Sequence, residues 1–150
     1  MSTNQRKLLI VEDNPDEVFL LKRAFSKCSV ENPIDYVTDG ENAISYLTDY
    51  LIESNNSMLA LILMDLKLPG KSGLEVLAWL RQQSGLERVP VVMFTSSQSD
   101  KDVINAYNLG ANSYLVKPIA FDSLRSMVKT LVLYWLDFNV RPILGDDQTT

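Results

Sequence analysis

The chain has 150 residues, of which 46% are hydrophobic and 22% charged, with a formal net charge of −5, one cysteine and no histidine. That size and balance suit one globular domain that hides roughly 68 to 70% of its unfolded surface, and they set aside disorder and fibrous repeats. The acidity disfavours nucleic acid as a partner, the lone Cys28 excludes an internal disulfide, and the missing histidine excludes a Ser-His triad, the usual zinc sites and any phosphohistidine of the chain's own.

The polar start, "MSTNQRK", leads into an apolar run of only residues 8–11, too short for a signal segment or a membrane span, so the chain reads as cytoplasmic with no membrane partner. Residues 7–11 predict a first strand. Asn14 as N-cap and Pro15 at the first helical position then open a helix with Val18, Leu21, Phe25 and Cys28 on one face. On that face Cys28 reads as a buried thiol rather than a nucleophile. A second strand follows at 34–37 and a second helix at 41–52. The segment 49–58 is long for such a connection and reads as a surface insertion, with "ESNNS" at 53–57 as a polar loop. Residues 59–64 predict the third strand, 72–83 the third helix, 89–94 the fourth strand and 99–108 the fourth helix. Ser99 with Asp102 three residues on resembles a capping box. Residues 113–116 predict the fifth strand and 121 to about 138 the last helix, followed by "GDDQTT" as a loose tail.

Strands as continuously apolar as "LALILM" and "VPVVMF" belong in a sheet covered by helices on both faces. Five βα units are too few for an eight-stranded barrel. The fold expected is therefore α/β, a flavodoxin-like doubly wound (βα)5 unit with a five-stranded parallel sheet in the order 2-1-3-4-5. Its main body is residues 1–138, and 139–150 form a C-terminal extension.

Such sheets bind ligands at the carboxyl ends of their strands. Glu12 and Asp13 end the first strand, Asp65 the third, Thr95 the fourth and Lys117 the fifth. Taken singly each has a bland reading: the acid pair as a solvated helix cap, Thr95 as a β-former, Lys117 as a surface lysine. Asp65 is harder to set aside, because an unpartnered charge at the rim of a buried strand is costly. Together they ask for a cation, since two carboxylates about 4 Å apart repel by about 4 kcal/mol at an effective dielectric near 20. Mg²⁺ suits an all-oxygen site of one or two carboxylates plus phosphate, a lysine and a threonine can hold phosphoryl oxygens, and a remaining carboxylate can act as the nucleophile.

"VED" after the first strand, "LILMDLKLPGKSG" around Asp65, "VVMFTSS" around Thr95 and "GANSYLVKP" ending at Lys117 and Pro118 resemble the receiver domain of two-component response regulators, over about residues 6 to 137. The resemblance implies that Asp65 accepts a phosphoryl group from a phosphohistidine on a sensor histidine kinase or phosphotransfer protein. It implies Mg²⁺ on Asp13, Asp65 and the Lys67 backbone carbonyl, with Glu12 acting through water. It further implies that Lys117 pairs with the phosphoryl group, that its bond to Pro118 is cis, that Thr95 shifts toward the phosphate and that Tyr114 is the aromatic switch turning inward with it. Outside the resemblance, Tyr114 would be a strand tyrosine facing outward. Lys67 and Ser97 match variable positions that border the site and influence phosphate lifetime.

After Lys117 there is room for one helix and roughly a dozen residues, so a stand-alone receiver is expected: a phosphoacceptor signalling protein rather than an enzyme, acting on a downstream protein by contact. The last helix and its extension resemble regulators paired with bacterial phytochrome kinases. Other classes fit less well. A flavodoxin-like FMN binder would carry a Ser, Thr and Gly-rich loop where this chain has "EDNPD", and a haloacid-dehalogenase-like phosphatase needs an acid where Lys67 stands. A phosphorylation-independent receiver-like binding module would not need the full set of Glu12, Asp13, Asp65, Thr95 and Lys117.

In the last helix Leu124, Val128, Leu131 and Trp135 can face the sheet, yet "LVLYWL" at 131–136 wraps all sides of a helix. Some of Val132, Leu133, Tyr134 and Leu136 should then point outward and form a homodimer surface. The alternative is that Val140, Pro142, Ile143 and Leu144 fold back over them.

Overall fold

The computed structural model describes residues 6–53 and 58–142. Short runs, continuously apolar in the middle of the sheet and more mixed at its edges, become five parallel strands, β1 (Arg6–Val11), β2 (Ile34–Val37), β3 (Met58–Met64), β4 (Val91–Thr95) and β5 (Ser113–Val116), in the order β2-β1-β3-β4-β5. The amphipathic stretches between them become α1 (Pro15–Ser26), α2 (Gly40–Ile52), α3 (Gly73–Arg81), α4 (Asp100–Asn108) and α5 (Phe121–Val132). Side chains alternate across the sheet. Leu8 and Ile10 of β1 pack with Leu21, Ala24 and Phe25 of α1 and with Leu124, Val128 and Leu131 of α5. Leu9 and Val11 pack on the opposite face with Ala43 and Leu47 of α2, Val76, Leu77 and Leu80 of α3 and Ala106 of α4. Each fully buried leucine or isoleucine contributes about 1.5–3 kcal/mol, so both faces are strongly held. Between Lys7 and Leu8 the β1–β3 register slips: Lys7 faces Leu59 and Leu8 faces Leu61, leaving Ala60 as the extra residue.

Several boundaries differ from the sequence reading. The fourth strand begins at Val91 rather than 89, because the Val89 N–H donates to the Leu86 carbonyl in a turn and Pro90 has no N–H to give. The reciprocal capping box lies at α3, where the Glu75 N–H donates to Ser72 Oγ (3.2 Å) and the Ser72 N–H to Glu75 Oε1 (2.8 Å). At α4 only half of it forms: Ser99 Oγ accepts from the Asp102 N–H, while the shorter Asp102 carboxylate accepts from Ser97 Oγ at 2.6 Å. Cys28 is half-buried rather than buried, its thiol donating to the Ala24 carbonyl at 3.3 Å.

The last helix is not one regular stretch. After Val132 it widens into a π-helical segment, Leu133–Phe138, which ends with the Asn139 N–H donating to the Tyr134 carbonyl. The wider turn puts Leu131 and Leu136, five residues apart, on the core side. Leu136 is therefore buried, against the expectation that it could point outward, whereas Leu133, Tyr134 and Phe138 are exposed. The extension swings to the far end of the sheet, where the Arg141 guanidinium donates to the Leu59 carbonyl (3.0 Å). Val140 is 90% exposed and Pro142 is exposed too, so neither covers the apolar patch. Ile143, Leu144, the "GDDQTT" tail and residues 54–57 of the polar loop lie outside the described residues. No described helix is long and apolar enough to cross a membrane.

Candidate functional site

The strand ladder gathers the predicted residues at one edge. Val11 pairs with Val37 on one side and Met64 on the other, Met64 pairs with Met93, and Thr95 pairs with Val116. Adjacent strands lie about 4.8 Å apart, so Glu12, Asp65, Thr95 and Lys117 leave the sheet side by side. The Asp65 N–H donates to the Val11 carbonyl and the Lys117 N–H to the Thr95 carbonyl, which holds the four ends in step. Behind Asp65, a Cβ at Gly73 would run into the Asp65 carbonyl oxygen, so the start of α3 can approach this closely only without a side chain.

Glu12, Asp65 and Thr95 are the polar residues buried in the described structure, at 2%, 7% and 2% exposure. Burial of acids demands a counter-charge. Lys117 supplies it: its Nζ lies 2.9 Å from Glu12 Oε1, 2.9 Å from Asp65 Oδ2, and in direct contact with Glu17 Oε1. The face of Phe94 lies under the same ammonium, its centroid 5.9 Å away. Glu12 Oε2 also accepts from the Asn14 N–H at 3.2 Å.

Three carboxylates on one ammonium leave two negative charges in excess. Burial, opposed by the Lys117 hydrogen bond and reinforced by the charge of Asp65, pushes the Glu12 carboxyl up to about 7. Burial also pulls on Lys117, but its bonds to Glu17, Glu12 and Asp65 outweigh that pull and hold the ammonium above its ordinary range. Above these groups opens a cleft of about 280 Å³ lined by Glu12, Asp13, Asn14, Glu17, Asp65, Lys67, Thr95, Ser96, Ser97 and Lys117. The carboxylate oxygens of Glu12, Glu17 and Asp65 lie within 4.8 Å of one another. Oxygen donors with surplus negative charge are the set that a hard divalent cation takes.

Asp13 lines the cleft but is exposed and stands outside that carboxylate group. The Lys67 N–H approaches Asp65 Oδ1 at 3.4 Å. Thr95 Oγ1 accepts from the Ser97 N–H at 3.4 Å. Tyr114 does not face outward: it is partly buried against the core, and its hydroxyl donates to the Ser97 carbonyl at 3.0 Å. No described peptide bond is cis, so the Lys117–Pro118 bond is trans, the ordinary and lower-energy isomer, contrary to the expectation.

The sequence reading missed Glu17. Asn14 Oδ1 accepts from the N–H groups of both Asp16 and Glu17, which starts α1 tightly and places Glu17 three residues past the cap. An acid at that position reads as half of a capping box. Here its carboxylate reaches Lys117 instead, a partner 100 residues away. Asp102 does more than cap a helix: its carboxylate accepts from Ser97 Oγ, which ties α4 to the loop that follows Thr95.

Comparison with known proteins agrees with this geometry. The probable methanogenesis regulatory protein FilR2 of Methanothrix harundinacea is 38% identical over 136 residues, spanning 90% of this chain and 86% of that protein. Response regulator Rcp1 of Synechocystis is 34% identical over 136 residues, spanning 91% of this chain and 92% of Rcp1. Among solved structures, the phosphorylated cyanobacterial phytochrome response regulator RcpA superposes with a TM-score of 0.83 at 33% identity, covering 93% of this chain and 99% of that one. The Mn²⁺-bound form of Rcp1 follows at 0.80 and 33%, covering 92% and 99%. The family model for the response regulator receiver domain matches residues 8–129. With the 2-1-3-4-5 sheet and the acid cluster at its carboxyl edge, the chain belongs to the response regulator receiver domain family.

Proposed function

We propose that this receiver takes a phosphoryl group on Asp65 from a phosphohistidine of a sensor histidine kinase or phosphotransfer protein, and passes the signal on by protein contact. The observation that carries the reading is the Asp65 carboxylate: it ends a buried strand, is held by Lys117 Nζ at 2.9 Å, and opens to a polar cleft. In the transfer an Asp65 oxygen attacks phosphorus, the bond from phosphorus to the histidine nitrogen breaks, and that nitrogen keeps the electron pair. The histidine has to come from the partner, because this chain has none. Asp13, Asp65 and the Lys67 backbone carbonyl would hold Mg²⁺, with Glu12 acting through water, and the excess negative charge of the cluster suits that ion. Bound there, Mg²⁺ would neutralise charge on the transferring phosphoryl oxygens.

The chain's own residues do the rest. Lys117 exchanges a carboxylate for a phosphoryl oxygen, and the Thr95 hydroxyl hydrogen-bonds another. The added charge of about −1.5 to −2 supplies the differential contact that a population shift needs. It acts through Thr95 and the β4–α4 loop on Tyr114, whose hydroxyl bond to Ser97 makes that loop and β5 one mechanical unit. In this reading residues 1–138 are the receiver and 139–150 an extension. The match over 86% and 92% of the lengths of FilR2 and Rcp1 favours a stand-alone signalling protein, read here as cytoplasmic and as assisting its own phosphorylation and dephosphorylation. Its likeness to RcpA and to a bacteriophytochrome response regulator, 34% identical, favours a phytochrome-type kinase as donor. The exposed Leu133, Tyr134 and Phe138, of which Tyr134 lines a groove of about 640 Å³ between β5 and α5, favour a homodimer.

Incubation with Mg²⁺ and acetyl phosphate tests the chemistry. Intact-mass spectra should show one acid-stable, base-labile phosphoryl group on the parent and none on Asp65→Asn. Labelling of Asp65→Asn as complete as that of the parent would sink the reading.

A further inference from the structure

Lys117 has three acidic partners, and they are not equivalent. Glu12 and Asp65 are fixed at strand ends with side chains 2% and 8% exposed, whereas Glu17 projects from the first turn of α1 with a third of its side chain in water. Among the described residues, Lys117 is the sole hydrogen-bond donor to the Glu17 carboxylate. Glu17 thus makes one tight contact that it can leave for solvent at little desolvation cost, which the other two acids cannot do.

We propose that Glu17 is a positioning residue that restrains Lys117: its carboxylate holds the ammonium within the acid cluster of the unphosphorylated protein, and a phosphoryl group on Asp65 has to draw the ammonium away from it. The inference rests on Asp65 being the phosphoacceptor. Two effects act in the same direction. Glu17 competes with phosphoryl oxygens for Lys117, and its own negative charge, at the rim of the cleft, opposes an incoming group of charge about −1.5 to −2. Both weaken the phosphorylated state relative to the resting one. Glu17 therefore sets how strong a phosphodonor must be before the switch responds.

Glu17→Gln keeps the length and a carbonyl acceptor but removes the charge, and Glu17→Asp keeps the charge on a shorter arm. Calorimetric titrations with Mg²⁺ alone, then with beryllofluoride at saturating Mg²⁺, separate restraint of the lysine from binding of the metal. Thermal melts check that each variant is folded. Glu17→Gln should bind beryllofluoride about tenfold more tightly than the parent, equivalent to about 1.4 kcal/mol, while the charge lost at the rim of the cluster weakens Mg²⁺ by no more than about threefold. Glu17→Asp should fall between the two. Unchanged or weaker beryllofluoride binding by folded Glu17→Gln would overturn the inference. So would a tenfold loss of Mg²⁺ affinity, which would make Glu17 a metal ligand. A parent that binds beryllofluoride and is labelled on Asp65, with no gain in Glu17→Gln, removes only this restraint. A parent that does neither removes the phosphoacceptor reading as well.

Discussion

Replacing Lys117 by methionine keeps the apolar stem and deletes the counter-charge from two buried acids. Removing one partner of a buried ion pair costs about 3–5 kcal/mol when the remaining charge cannot escape. Here part of it can, because Glu12 can take up a proton. The folded Glu12 carboxyl, pushed up to about 7 by burial, still binds a proton that the unfolded chain releases near 4.5. Between those values the native state holds more protons, so stability falls as pH rises, by about 3 kcal/mol over the 2.5-unit window for this one group. Without Lys117 the acid titrates higher still, and the fall continues past pH 7. The lysine's own raised value adds stability that is complete below its ordinary titration range, so it contributes no slope here. Urea unfolding without divalent ions should therefore find Lys117→Met less stable than the parent at both pH values, by about 3–5 kcal/mol at pH 8 and by less at pH 5.5, where Glu12 is protonated and the remaining deficit belongs to the buried Asp65. Equal stability of the two proteins at pH 8, or a larger deficit at pH 5.5, would refute the role of Lys117 as counter-ion of the cluster.

Burial raises the Cys28 thiol, and its Sγ donates to the Ala24 carbonyl. Iodoacetamide should accordingly alkylate Cys28 more slowly than a free thiol at pH 8, with the rate climbing as the pH passes 9; reaction at the free-thiol rate would contradict its shielded placement. For the apolar patch, analytical ultracentrifugation across protein concentration should show a dimer that Leu133→Asp dissociates. A parent that stays monomeric at high concentration, with and without beryllofluoride, would rule the dimer out.

Much of this molecule is written in short stretches of chain. Asn14 and Pro15 start α1 through contacts within three residues, and runs such as "LALILM" become strands buried on both faces because nothing in them can face water. Once parallel strand order follows from five βα units, Glu12, Asp65, Thr95 and Lys117 must meet, since each directly follows or ends a strand at the same edge. Local signals of this kind depend on neighbours three or four residues apart, so they are legible without a fold. What Lys117 touches is not. Glu17 and Lys117 stand 100 residues apart, and only the packing of α1 against α5 on one face of the sheet decides that the glutamate reaches the lysine rather than closing a cap on its own helix. The same holds for Asp102, whose shorter arm leaves the cap and takes Ser97, and for the π-helical turn that buries Leu136 while exposing Leu133 and Tyr134. Periodicity places a residue on a helix face, but the direction of a flexible side chain and a change of helical pitch are settled by which partners tertiary packing brings within reach.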